Sequence, residues 1–266
     1  MAGAVLAAVF VLAVALASGG GDSRFAARVL HPPPSPKPPP PRKKPTSVDR
    51  VLRYTDYVLS GRPRKREVAL TFDDGPSAWT PKVVRALRRK HAAATFFPVG
   101  YGITRYPRYL QLERDAGFVV GDHTMNHPLL TQLSGPKQIG EIDGQARLLR
   151  LAHLPYPRLF RPPYGAFDSD TRGLLQERRM LMVLWSVNPA DYTRPGSKRI
   201  VKGVLDSVTP GAIVLLHDGG GDRSQTVAAI PRIVHRLRAR GYKIVTVPRL
   251  LADDPPPRGQ GPPPNL

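Results

Sequence analysis

At 266 residues, 41% of them hydrophobic, the chain can bury one sizeable core, and one domain is favoured over two. Forty Lys and Arg against 20 Asp and Glu give a formal charge of +20, a field that attracts anionic polymers; with no recognition motif for nucleic acid, none is expected as a partner. The absence of cysteine excludes disulfides, thiolate metal sites and cysteine nucleophiles, so any metal must be held by His, Asp or Glu.

Residues 2–18 form a continuous apolar run, and Ala15-Leu16-Ala17 has the small-residue pattern of a signal-peptidase site. Export is the expectation, with residues 1–20 a signal peptide or, since the run is near the lower length for a span and lacks a basic start, a membrane anchor. A membrane is a partner only if that segment is retained. Residues 21–61 read as a basic, proline-rich linker: proline fixes φ and removes a donor, giving an extended spacer. Arg42, Lys43 and Lys44 would add attraction to anionic cell-wall polymer, or simply solvate the linker. The tail, 252–266, repeats the composition and is expected to be disordered.

Between these, residues 62–251 alternate short apolar runs with segments of helical period. Strands are expected at 68–72, 93–99, 118–121, 158–161, 181–187, 212–216 and 242–247. Helices are expected at 80–91, 108–116, 136–151, 168–179, 197–207 and 226–240. An α/β fold follows, a barrel or near-barrel of about seven parallel strands, whose chemistry belongs where strands end.

Polar clusters stand at those ends. After the first strand comes Thr71-Phe72-Asp73-Asp74-Gly75-Pro76, where adjacent carboxylates repel unless a cation neutralises one and the other serves as a base. The bland alternative is a solvated Asp-Asp-Gly turn. After the third come His123 and His127, four residues apart, or one helical turn, and able to point to one side. With Asp74 they make an open metal set that leaves a position for water or substrate, fitting zinc, iron(II), cobalt or manganese. After the fourth, Arg161 precedes Pro162-Pro163-Tyr164-Gly165, a stiff loop beside which an arginine can orient a carboxylate by paired hydrogen bonds. After the fifth, Asp191 can orient an imidazole or cap a turn. After the sixth, His217 emerges from a wholly apolar strand, where the bland reading is a satisfied core histidine.

In this order, Thr-Phe-Asp-Asp-Gly-Pro, His-Thr-Met-Asn-His-Pro, Arg-Pro-Pro-Tyr-Gly, Asp191 and Leu-Leu-His resemble the polysaccharide deacetylases of the NodB-homology family, carbohydrate esterase family four. The resemblance covers roughly residues 68–247 and implies a distorted (β/α) barrel and a metal-dependent hydrolase that removes acetyl groups from sugars. It implies Asp73 as general base, and Asp74, His123 and His127 as ligands of a divalent metal, zinc first and cobalt or another ion otherwise. Arg161 would hold Asp73, His217 would be the general acid, and Asp191 would orient it. The Tyr164 backbone N–H would help stabilise the oxyanion, and Leu215 and Tyr192 would line the pocket for the acetyl methyl. Asn188 and Tyr192 stand where many members carry aspartate and tryptophan, a departure that bears on pocket size and polarity.

These residues give the chemistry amide hydrolysis needs: an activated water, a base, charge stabilisation at the former carbonyl oxygen, and an acid for the departing amine. The expected substrate is an acetylated polysaccharide, peptidoglycan N-acetylglucosamine first, with chitin oligomers or acetyl-xylan as alternatives. A non-catalytic wall-binding protein on the same fold is the reading from another class; it has no need of Asp73, Asp74, His123, His127 and His217 together.

Overall fold

The computed structural model describes residues 44–260. The apolar run 2–18, the linker up to residue 43 and residues 261–266 lie outside the described residues.

The central strand is β2 (Glu67–Asp73), buried along its whole length. Its alternation sorts the molecule into two layers. Val68, Leu70 and Phe72 point outward into a cluster completed by Val83, Val84 and Leu87 of α2 (Thr80–Arg89) and Ile230, Ile233 and Leu237 of α8 (Ser224–Ala239). Ala69 points inward with Phe97, Val183 and Ile213, and Thr71 and Asp73 share that inward face. Both helices bury one stripe and turn charge outward. Each fully buried aliphatic side chain of this core contributes about 1.5–3 kcal/mol.

All ladders are parallel. β2 pairs with β7 (Ala212–His217), which brings Asp73 opposite His217, and with β3 (Thr95–Phe97) and β8 (Lys243–Val245) on its other side. β3 continues to β4 (Val119–Val120). A second sheet orders β1 (Tyr57–Val58), β6 (Leu181–Val183) and β5 (Leu159–Phe160). Single-residue bridges, Asp122 to Phe160 and Val187 to Val214, tie the two sheets together just past the strand ends that carry polar residues. The seven expected strands are all present, most of them shorter than expected, and β1 is an eighth.

Two boundaries need correction. Residues 47–61, expected to belong to the linker, fold: α1 (Ser47–Val51) opens on a Thr46 capping box and buries Val48 and Val51 against α9 (Val247–Asp253). Asp49 accepts from Arg158 at 2.6 Å and Arg179 at 3.0 Å, pinning α1 to the body. The tail is not free over 252–260 either. Buried Asp254 accepts from the Arg64 and Lys65 backbone N–H groups, Tyr54 donates to the Pro256 carbonyl at 2.9 Å, and Gln260 donates to Thr55. Proline-rich composition misled at both ends, because a few apolar and capping residues among the prolines suffice to dock a segment.

Candidate active site

The ends of five strands, β2, β4, β5, β6 and β7, and the loops after them converge on a cavity of about 440 Å³. Asp73 is the last residue of β2, and its carboxylate Oδ1 accepts from Arg161 Nη1 at 2.8 Å. Arg161 is completely buried after β5, and its other donors go to Thr71 Oγ1 at 2.7 Å and to the carbonyls of Val183 and Leu184 at 2.8 and 3.1 Å. Its guanidinium lies 4.3 Å from the centre of the Phe97 ring, which adds cation–π attraction. The expected paired grip on the carboxylate is a single bond; the remaining donors hold neighbouring strands, so Arg161 is fixed from four directions.

Asp74 leaves the strand with φ 70°, which swings its carboxylate away from that of Asp73. Asp74 Oδ1 stands 3.5 Å from His123 Nε2 and 3.3 Å from His127 Nε2, and these three form the one His/Asp/Glu metal cluster among the described residues. The expectation of a helical turn between the histidines is wrong. Residues 123–127 form an irregular loop, and positive φ at Thr124 (69°) and His127 (57°) turns the two imidazoles to one side. Asp122 Oδ1 accepts from the Thr124 N–H, Thr124 Oγ1 from the His127 N–H, and Glu141 receives both Asn126 nitrogens, which holds this costly backbone in place.

The donor set fits a divalent ion. Asp74 Oδ1 is buried with no hydrogen-bond partner. His123 Nδ1 is 2.6 Å from the Arg161 carbonyl oxygen; a carbonyl only accepts, so Nδ1 carries the proton and Nε2 presents a lone pair. Burial raises the Asp74 pKa, but the neighbouring imidazoles, His123 first with His217 and His127 beyond it, outweigh that and hold the carboxyl below its ordinary range. Burial and the neighbouring His123 push the His127 pKa down, so its imidazole is neutral and able to ligate.

On the opposite wall His217 ends β7. Its Nδ1 is 2.7 Å from Asp191 Oδ1, and Asp191 Oδ2 accepts from the His217 backbone N–H at 2.9 Å and from Thr226 Oγ1 at 2.7 Å. Burial lowers the His217 pKa, but the bond to Asp191 and its charge prevail and raise it above the ordinary histidine value. Leu215 and Tyr192 line the cavity; Tyr192 stacks edge-on to His217 at 5.5 Å and Tyr164 to His127 at 4.7 Å. Tyr164 has φ 60°, within the stiff turn that follows Arg161. All ten expected site residues thus gather in or directly behind one cavity.

Trp185, Asn188, Gly220 and Arg223 line it as well; Arg223 was missed from sequence. It is buried and donates to the carbonyls of Gly219, Gly220 and Tyr192. The triple glycine before it was the available signal. A Cβ on Gly219 would collide with the Asp74 carbonyl, so this close approach requires glycine. Beneath the loop, buried Asp218 accepts from Thr80; burial pushes its pKa up to about 7, the Thr80 bond opposing and Asp74 and Asp73 adding to the rise.

Residues 60–183 match the family model described as polysaccharide deacetylase. A peptidoglycan-N-acetylglucosamine deacetylase of Bacillus cereus is 40% identical over 205 residues, spanning 75% of this chain and 95% of that one. A chitooligosaccharide deacetylase of Bradyrhizobium is 38% identical over 198 residues, 70% of this chain and 90% of its own length. Among solved structures, the Bc1960 peptidoglycan N-acetylglucosamine deacetylase superposes with a TM-score of 0.72 at 31% identity, covering 75% of this chain and 94% of that one. The chain therefore belongs to the polysaccharide deacetylases, carbohydrate esterase family four, and is a deacetylase enzyme.

Proposed function

We propose that the protein is an exported, metal-dependent hydrolase that removes the N-acetyl group from N-acetylglucosamine residues of peptidoglycan. The observation that carries this reading is the buried, unbonded Asp74 Oδ1 facing two imidazole nitrogens, with the Asp73 carboxylate on one side and an Asp191-bound His217 on the other. The names of the B. cereus relative and of Bc1960 favour peptidoglycan; that of the Bradyrhizobium relative keeps a chitin oligomer as the second substrate.

Asp74, His123 and His127 would hold the ion, zinc by preference for two imidazoles and a carboxylate. Bound there, a divalent ion polarises a carbonyl and acidifies water. The protein's own residues do the rest. Arg161 ties up Asp73 Oδ1, which leaves Oδ2 to take the proton from the attacking water. The Tyr164 backbone N–H is the donor for the oxygen that gains charge. His217, kept charged by Asp191 through Nδ1, passes its Nε2 proton to the leaving amine, which is otherwise too poor a leaving group to depart. Leu215 and Tyr192 offer the methyl an apolar wall.

The test is acetate release by zinc-loaded protein from peptidoglycan, N-acetylglucosamine oligomers and acetyl-xylan. Release from the first, exceeding that from the others, is expected; a folded, zinc-loaded protein inert on all three contradicts the reading.

A further inference from the structure

A row of exposed arginines and lysines crowds one face of the folded part. Helices α2, α8 and α7 (Ser197–Ser207) pack side by side, and neither α2 nor α8 contains an acid. The acid of α7, Asp206, is already paired with Lys202. Three depressions of about 450, 410 and 540 Å³ cross this face. The first is lined by Arg85, Arg88 and Arg89 and shares Arg85 and Arg89 with the second. The second shares Lys90 and Pro231 with the third, which continues to Lys198, Arg232 and Arg236. Together they make one continuous trough, without a carboxylate in its lining and sharing no residue with the catalytic cavity. None of these arginine and lysine side chains makes an ion pair or side-chain hydrogen bond among the described residues, although all are exposed.

Unpaired like charges crowded along a groove raise the energy of the free protein and are relieved by a polyanion that threads past them. Arginine predominates here, and its planar fork suits phosphate. The lining contains no Phe, Tyr or Trp, and His235 is its one ring, which sets it apart from single-stranded nucleic-acid grooves with their successive aromatic platforms. A trough that bends across three helices fits a strand better than the flat plane of a membrane.

We infer that the α2–α7–α8 trough is a docking site for a linear phosphodiester polymer of the polyol-phosphate type. This goes beyond the deacetylation reading and uses none of its residues. The attraction that the sequence assigned to the basic linker has its structured counterpart on the folded domain.

The experiment measures binding of the full chain to fluorescent poly(glycerol phosphate) across a salt series, with deacetylation left out of the readout. Arg85→Gln/Arg89→Gln/Arg232→Gln/Arg236→Gln is compared with Arg42→Gln/Lys43→Gln/Lys44→Gln in the linker. The trough variant is expected to lose at least tenfold in affinity, and its log K against log salt plot to flatten by about 3, four lost contacts at about 0.7 each. Lys90 and Lys198 in the wild type should also be protected from amine acylation by the polymer, a measurement that needs no variant. Unchanged binding by the trough variant, loss confined to the linker variant, or equal acylation with and without polymer overturns the inference. So does tighter binding to poly(uridylic acid) or to phosphatidylglycerol vesicles.

Discussion

Replacing Arg161 with methionine keeps the stem's bulk and removes the guanidinium. Asp73 then remains a buried carboxylate with no counter-ion, while Thr71 Oγ1 and the Val183 and Leu184 carbonyls lose their donor. Breaking a buried ion pair from one side costs about 3–5 kcal/mol. At about 2–4 °C per kcal/mol for a domain of this size, the midpoint should fall by about 6–20 °C. Adding Asp73→Asn removes the stranded charge, so the double variant should be less destabilised than the sum of the two single changes by about 1–3 kcal/mol. Urea unfolding of the metal-free wild type, both single variants and the double variant closes this cycle. Additivity within about 0.5 kcal/mol would refute the claim that Arg161 holds Asp73 in place through their buried contact.

Three further outcomes follow from the same geometry. Because Asp191 is what raises the His217 pKa, and an acid works only while protonated, Asp191→Asn should move the alkaline limb of the pH–rate profile to lower pH; an unmoved limb counts against the pairing. His217→Ala should damage turnover of amides far more than of activated esters, whose leaving groups need no proton; equal damage removes its role as acid. Asp49 is held well below the ordinary carboxyl range, its burial outweighed by Arg158 and Thr46. A carboxyl depressed on folding contributes stability above its unfolded pKa and loses it as pH falls. Asp49→Asn should therefore cost about 1–3 kcal/mol at neutral pH, allowing for the part-exposed arginines, and progressively less in acid; a cost that is flat with pH would contradict the ion pair.

The candidate site residues were legible because each breaks a pattern: Asp73, Asp74 and His217 are polar groups at the ends of apolar runs, and in a parallel α/β fold such ends share one side of the sheet. The register that sets Asp73 opposite His217 was not legible, since strand pairing between distant segments leaves no local mark. The histidine pair was found for the wrong reason. Spacing suggested a helix, whereas strained loop dihedrals fixed by Asp122 and Glu141 bring the rings together. Arg223 was overlooked because its partners are backbone carbonyls, which carry no sequence signature of their own; the triple glycine before it was the one mark of the close approach. β1 and α1 were hidden by length: a two-residue strand and a five-residue helix are held by α9, β6 and Asp49 rather than by propensity.

Zinc titration calorimetry on metal-stripped protein addresses the pairing of neighbouring acids most directly, by comparing wild type, Asp73→Asn and Asp74→Ala. One zinc per chain should bind to wild type and to Asp73→Asn, and affinity should collapse in Asp74→Ala. A wild type that binds no divalent ion, or equal loss in the two variants, would contradict the division of labour between Asp73 and Asp74.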